Sequence, residues 1–515
     1  MSELRVDRLS VRSGERVLVH DVSLTVRTGE VVALVGPSGS GKTLTLRGTL
    51  DVLPFRPGRV GGEVYIDAKS QGGRALRAAV GLLFQEARAS LDPLRTLGAQ
   101  LVHAARLAGA EADVHALLRQ RGFADPAFAA TRFPHELSGG MAQRAATAVA
   151  LARRCAFLFC DEPTTGLDAP VQAELIAELR RIEGVGILFV THDLRLLPGF
   201  ADRILVMDDG RIVEEADRVE GLSGAGRRLV EATRGIAAPG WGGPGTDAAT
   251  QVPTAAGGAS IVTDTSKVLL DLQDLRVVHR RAWSLQPPVV AVNAVTLQVR
   301  GGEIVGLIGE SGCGKTSLIR AASGLLRRDG GRVSCLGVDP AIAARPPPRV
   351  QLLVQDAGAA LNPELSVEAW LAESARVHRP GSTDAARQAL TQAGLGHRAS
   401  ALPAALSGGE QRRLTLAALS LADPLLTFAD EPTAGLDAAR KAELLDALIA
   451  RHGPDRALVL ITHDVNLARH ICTRLVFLHD GRVVDDVSTS NLDDARSAPA
   501  RRLLAAAGIA TGNDT

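Results

Sequence analysis

Apolar residues in this chain gather into unbroken runs of strand length, and each run ends on a chemically pointed residue. VVALVG at 31–36 and IVGLIG at 304–309 end on glycine, AFLFCDE and LLTFADE on an acidic pair, GILFVTH and LVLITH on Thr-His. Runs without polar alternation predict strands buried on both faces. Helix-like segments separate them, so the pattern predicts an α/β fold with a mainly parallel, covered sheet. The pattern occurs twice. ELRVDRLSVR near the start is answered by VLLDLQDLRVV after Lys267. Residues 236–266, rich in Ala, Gly, Pro and Thr, carry no helical or strand period and predict a flexible tether. The expected organisation is a first domain over 1–235, a linker over 236–266 and a second domain over 267–515. In each domain a polar helical stretch, Gln85 to Leu137 and Gln355 to Leu406, predicts an inserted helical subdomain.

The motifs repeat with the strands. GPSGSGKT begins at Gly36 and GESGCGKT at Gly309. LSGG brings Ser138 and Ser407, the acidic pairs bring Glu162 and Glu431, and THD brings His192 and His463. Members of each pair lie 269 to 273 residues apart. Four motifs in one order at one separation imply a duplicated nucleotide-hydrolysing machine.

Composition narrows the setting. At 515 residues the chain exceeds one ordinary core and suits two domains. Aromatics are only 3%, so aliphatic side chains must fill those cores. Against 58 basic residues stand 57 acidic ones, a net charge of +1 that leaves no electrostatic footprint for nucleic acid or an anionic membrane. No nucleic-acid partner is expected. The apolar runs are far short of a bilayer span, and MSELRVDRLS lacks the apolar core of a secretory signal. Cys155, Cys160, Cys313, Cys335 and Cys472 form no CxxC pair, and a soluble, reducing, cytoplasmic setting is expected.

Each motif has a chemical reading. A glycine loop must turn backbone amides toward phosphate oxygens without side chains in the way, which suits Gly36, Pro37, Ser38, Gly39, Ser40 and Gly41, and Gly309, Glu310, Ser311, Gly312, Cys313 and Gly314. Lys42 and Lys315 would neutralise the β- and γ-phosphates, and Thr43 and Thr316 would offer hydroxyls to Mg2+. The helix that follows turns its positive end to the anion. Asp161 and Asp430, at strand ends, can hold the metal through water. Glu162 and Glu431, expected to point the other way along the pleat, can polarise an attacking water. Ser138, Gly139 and Gly140, with Ser407, Gly408 and Gly409, should open helices whose N-termini suit a γ-phosphate presented by another domain. A lone LSGG would be only a capped helix start; its place before the acidic strand in both copies favours the functional reading. His192 and His463 read as γ-phosphate contacts.

These motifs resemble those of ABC transporter ATPases, and the resemblance covers nearly the whole chain outside the tether. It implies ABC-type P-loop domains, each with an antiparallel β subdomain beside the core sheet and an inserted helical subdomain. Gln85 and Gln355 match the Q-loop glutamine, which senses Mg2+ and faces the membrane subunits; Asp168 and Asp437 match the D-loop. In that family two domains pair head to tail. By analogy one ATP site joins Lys42, Gln85, Asp161, Glu162 and His192 to Ser407–Gly409, and the other joins Lys315, Gln355, Asp430, Glu431 and His463 to Ser138–Gly140. FQEARASLDPLRTLGAQL at 84–101 and VQDAGAALNPELSVEAWL at 354–371 are similar to the peptide/nickel importer branch, with the two usual ATPases here fused. The implied partners are two transmembrane permease subunits and an extracytoplasmic solute-binding protein, at the cytoplasmic face of the membrane.

Departures from the family pattern qualify this. There is no C-terminal cysteine cluster, so no iron–sulfur cluster is expected, and this together with short extensions tilts the cargo mildly from peptides toward nickel or metal chelates. Ser13 stands where His279 stands in the second copy, so only the second copy offers a ring there for stacking on adenine; Arg12 or Arg16 could supply a stacked guanidinium in the first, and Trp283 could take the stacking place in the second. Arg412 occupies a place where relatives often carry glutamine. Two other classes are weighed: a soluble tandem ATPase acting on ribosomes or DNA, and an exporter ATPase. The nearly uncharged tether and the missing zinc-type cysteines stand against the first, the SLDP and ALNP segments against the second.

Overall fold

A computed structural model of the chain describes residues 2–55, 58–84, 87–167, 169–235, 267–280, 288–341, 349–380, 382, 384–436 and 438–509. The expected tether at 236–266 lies outside them. The chain divides into two compact units, Met1–Ile236 with Gly435–Arg440, and Ala237–Ala434 with Lys441–Thr515.

Each unit is built on a six-stranded sheet. In the first the order is Arg211–Ala216, Arg203–Asp208, Val31–Val35, Gly186–Thr191, Phe157–Asp161, Val80–Leu83. Only the Arg211–Ala216 edge runs antiparallel. The second repeats this in reverse listing: Val350–Leu353, Leu426–Asp430, Ala457–Ile461, Ile304–Ile308, Arg474–His479, Arg482–Ser488, again with one antiparallel edge. All five residues of Val31–Val35 and of Ile304–Ile308 are buried, which is why their sequences show no alternation. With few aromatics available, Leu, Val, Ile and Ala supply most of the packing around Phe157, Phe159, Phe189, Phe428 and Phe477.

Beside each core sheet lies an antiparallel one. Glu3–Ser13 pairs with Arg16–Arg27 and Gly58–Ile66; Val268–His279 pairs with Val289–Arg300 and Gly330–Cys335. These strands do alternate: Leu4, Val6, Leu9 and Val11 are buried between polar neighbours. A register shift between Val6 and Leu9 explains the double polar step there, and Leu272/Leu275 repeats it.

The inserted helices are present in both units. The first carries Leu97–Leu107, Val114–Gln120 and Pro126–Ala130, capped by the side chains of Thr96, Asp113 and Asp125. The second carries Val367–His378 and Ala385–Gln392, with their own core of Val367, Leu371, Leu390, Leu395, Leu406 and Leu414. In the second unit this separate core lets the layer pack as a body, whereas in the first Leu97, Leu101 and Leu118 share one core with Val31, Leu158 and Phe189 of the sheet; in both the strand ends carry the chemistry.

Candidate active sites

In the first unit the glycine loop leaves the central strand Val31–Val35 and enters the helix Lys42–Thr49, whose N-cap Gly41 has φ 101°. The second unit does the same from Ile304–Ile308 into Lys315–Ala322, with Gly314 at φ 105°. Two positions need glycine for want of room. A Cβ on Gly36 would lie 2.1 Å from the Met207 carbonyl oxygen, and one on Gly314 would lie 2.0 Å from that of Ala291. No side chain survives such an approach.

The lysines are buried, 5% exposed for Lys42 and 7% for Lys315. Each ammonium is held over its loop by two carbonyls: Lys42 Nζ donates to Gly36 at 2.8 Å and Pro37 at 2.9 Å, Lys315 Nζ to Gly309 at 2.7 Å and Glu310 at 2.8 Å. A desolvated cation fixed in this way is a strong electrostatic partner for an anion. The next residue makes the metal-type pair. Thr43 Oγ1 donates to Asp161 Oδ1 at 2.8 Å, and Thr316 Oγ1 to Asp430 Oδ1 at 3.2 Å. Burial pushes both Asp carboxyls above the ordinary range despite these bonds. A hydroxyl and a buried carboxylate, hard oxygens side by side, form a donor set that fits Mg2+.

The glutamates correct one sequence expectation. Extended backbone does not carry Glu162 and Glu431 across the pleat, because each strand ends on its aspartate and the glutamate turns left-handed, at φ 47° and 44°. Its N–H is nevertheless caught by the next strand, Glu162 by Val190 O and Glu431 by Ile461 O, both at 3.0 Å. A left-handed non-glycine residue costs on the order of 1–3 kcal/mol. Its presence in both copies marks a turn that the surrounding structure enforces.

That turn aims each carboxylate at its histidine. His192 Nδ1 lies 3.2 Å from Glu162 Oε1, and His463 Nδ1 lies 3.7 Å from Glu431 Oε1. Thr165 Oγ1 donates to Glu162 Oε2 at 3.1 Å, whereas Glu431 Oε2 accepts from Gln355 Nε2 at 3.1 Å. Burial resists ionisation of both glutamates. The histidine hydrogen bond, the histidine charge and then the loop lysine outweigh it and hold both carboxyls below their ordinary value. They are therefore anionic at neutral pH.

Ser138 and Ser407 cap the helices Gly139–Ala152 and Gly408–Ala422, and their hydrogen bonds lie within those helix starts. Gly139, Gly140, Gly408 and Gly409 form the first turns. In the second unit Glu410 closes a capping box: it accepts from Ser407 N and Oγ, both at 2.8 Å, which holds its carboxyl down to about 2. Met141 offers no such closure in the first. Ser13 and His279 are each the last residue of their unit's leading strand, and His279 Nε2 lies 2.9 Å from Ser317 Oγ, one residue past Thr316. Gln85, Asp168 and Asp437 lie outside the described residues.

Thus Lys42, Thr43, Asp161, Glu162 and His192 come together in one unit, and Lys315, Thr316, Gln355, Asp430, Glu431 and His463 in the other. A family model described as ABC transporter matches residues 19–165 and 292–434, once in each unit. The chain belongs to the ABC transporter family. It is an ATPase, with two ABC domains that bind ATP. It is 34% identical to the peptidoglycan transport ATP-binding protein YejF of Agrobacterium fabrum, over 91% of this chain and 89% of that one. It is 31% identical to the oligopeptide transport ATP-binding protein OppD of Mycobacterium tuberculosis, over 95% of each, and 30% identical to the glutathione import ATP-binding protein GsiA of Escherichia coli K12, over 96% and 86%. The archaeal ribosome recycling factor aABCE1, solved with the ribosomal stalk protein aP1, aligns over 98% of this chain and 92% of that one with a TM-score of 0.60. At 20% identity that likeness is one of fold alone. Among the described residues no helix is long and apolar enough to cross a membrane.

Sequence reasoning missed one hydroxyl that touches these candidate residues, Thr165, the donor to Glu162. Thr165 is legible only as PTTG against PTAG, with Ala434 in the second copy. Ser40, read from the sequence as part of the glycine loop and standing at the place of Cys313, buries a hydroxyl that finds no hydrogen-bond partner among the described residues.

Proposed function

We propose that this chain is the energy-coupling ATPase subunit of an importer for peptide-type solutes. The observation that carries the proposal is the repetition of one arrangement of lysine, threonine, aspartate, glutamate and histidine in both units, in a chain matched along nine-tenths of its length by ATP-binding proteins named for peptidoglycan, oligopeptide and glutathione transport. Those names favour peptide-type cargo over nickel or metal chelates. Two membrane permeases and an extracytoplasmic binding protein would supply the path and the capture, and this chain would work at the cytoplasmic face.

In this reading the glycine loop and helix N-terminus hold the triphosphate, while Lys42 or Lys315 offsets charge on the β- and γ-oxygens. Thr43 and Asp161, with Gln85, and Thr316 and Asp430, with Gln355, would hold Mg2+, which offsets charge on the same oxygens. Glu162 and Glu431 orient the attacking water. Because their carboxyls are held low, they are anionic acceptors of a water hydrogen bond and weak proton bases, so positioning is their main contribution. His192 and His463 fix the carboxylate and reach the γ-phosphate. The family analogy adds Ser407–Gly409 to the first set and Ser138–Gly140 to the second. The test is uptake of labelled oligopeptide by vesicles carrying the chain with its permeases and binding protein. ATP-dependent uptake that Glu162→Gln abolishes supports the reading. ATPase activity that no permease pair or peptide alters overturns it.

A further inference from the structure

The helix that starts at the second LSGG carries Arg412 on the face that also bears Thr415, Leu416 and Leu419. That face meets the edge strand Val350–Leu353 and Trp370 around a cavity of about 230 Å³. The guanidinium spans two stretches of main chain. Arg412 donates to the carbonyl of Pro432, the residue after Glu431, and through Nη2 to the carbonyl of Gln355 at 3.3 Å. The side chains of those two stretches meet in turn, Gln355 Nε2 on Glu431 Oε2 at 3.1 Å. Burial presses on the Arg412 charge and Asp356 only partly offsets it, so the cation is costly where it stands. A half-buried charge spent on two carbonyls has a role in aligning what those carbonyls belong to. The sister helix carries Gln143 in the same place, 3% exposed, with an amide nitrogen that finds no partner among the described residues.

We propose that Arg412 is a positioning residue for hydrolysis in the second unit, a strut that fixes the distance between the Gln355 segment and the Glu431 turn. This rests on the reading of Glu431 as the residue that orients water. One planar fork reaches both carbonyls at once, which neither glutamine nor lysine can do with the same geometry. The strut acts on alignment and leaves the phosphate-binding lysine and loop untouched, so its loss shows in kcat and leaves KM for ATP in place.

Arg412→Gln is the informative substitution, because the sister helix already folds around glutamine at this position. In the chain assembled with its permeases, Arg412→Gln is expected to lower kcat about ten-fold, the scale of a slightly misplaced reacting group, with KM and the unfolding midpoint retained. Arg412→Lys should recover part of the loss. In a Gln355→Ala background Arg412→Gln should cost nothing more, since the strut then has no side chain to aim. Wild-type kcat in Arg412→Gln beside a dead Glu431→Gln overturns the strut and leaves the wider reading standing. Losses in kcat, KM and midpoint together, additive with Gln355→Ala, show a merely structural arginine and also overturn it. Full turnover in Glu431→Gln removes the reading beneath it.

Discussion

The two glutamate turns share a backbone and differ in the donors around it. Glu162 and Glu431 have nearly the same left-handed φ and the same 3.0 Å bond from their N–H to the neighbouring strand. Around Glu162 stand the Thr165 hydroxyl and His192 at 3.2 Å; around Glu431, Ala434 replaces the threonine, Gln355 donates instead, and His463 stands off at 3.7 Å. The loops diverge in the same way. Ser40 buries a hydroxyl without a partner among the described residues, whereas Cys313 puts a thiol 3.7 Å from Lys315 Nζ, and burial keeps that thiol above its ordinary range although the lysine opposes this. The lesson is that the scaffold places the carboxylate through main-chain bonds that any residue could make. The side-chain donors then tune it and are free to differ between copies.

The harshest test of equivalence removes the carboxylates. Glu162→Gln and Glu431→Gln should each cost about 10²–10⁴ in turnover while ATP binding persists, because the carboxylate positions water and not nucleotide. Steady-state hydrolysis near wild type in one of them would show that its unit is dispensable. Next come the lysines. Lys42→Ala and Lys315→Ala should each weaken ATP binding at their own loop by about 1.5–3 kcal/mol, the scale of a hydrogen bond to a charged group. Labelled-ATP titration reads this, and unchanged affinity in both would remove the phosphate reading of the loops.

Adenine contacts should separate the copies more finely. His279→Ala is expected to weaken ATP at the second loop by about 1–3 kcal/mol if its ring stacks on the base. The first unit, with Ser13, should bind more weakly and reject GTP less. Equal affinities in Lys42→Ala and Lys315→Ala, each reporting the remaining loop, would erase this asymmetry. Smallest of all is Thr165→Ala, which removes one donor to an already anionic carboxylate and should leave neutral-pH kcat within about ten-fold. Its signature is in the pH profile. Burial raises and His192 lowers the Glu162 carboxyl, with Thr165 a further lowering contact, and the net value lies below ordinary. Activity is therefore full at higher pH and lost as pH falls through that low value. Deleting Thr165 lifts the value, so the acid limb of kcat should move to higher pH. A limb that stays put means the hydroxyl does not serve the carboxylate in the working enzyme.

What the sequence by itself determined is what depends on near neighbours. Unbroken runs such as VVALV announce strands buried on both faces, since no polar residue can be tolerated on either. GPSGSGKT and GESGCGKT announce a loop whose glycines meet a carbonyl or a left-handed turn, and LSGG announces a capped helix start. Duplication made each of these legible twice. Tertiary structure alone decided the rest. Reading Glu162 and Glu431 as continuing the pleat failed because the backbone turns left-handed at the strand end while the neighbouring strand still holds each N–H, an arrangement of segments about thirty residues apart. Thr165 gained its role only because that turn brings the carboxylate back over it. Arg412 reaches Pro432 and Gln355, 20 and 57 residues away, and no local pattern encodes which carbonyl a guanidinium will meet. Local propensity is written in spacing along the chain. The aim of a side chain depends on the packing of distant segments, which only the folded chain brings within reach.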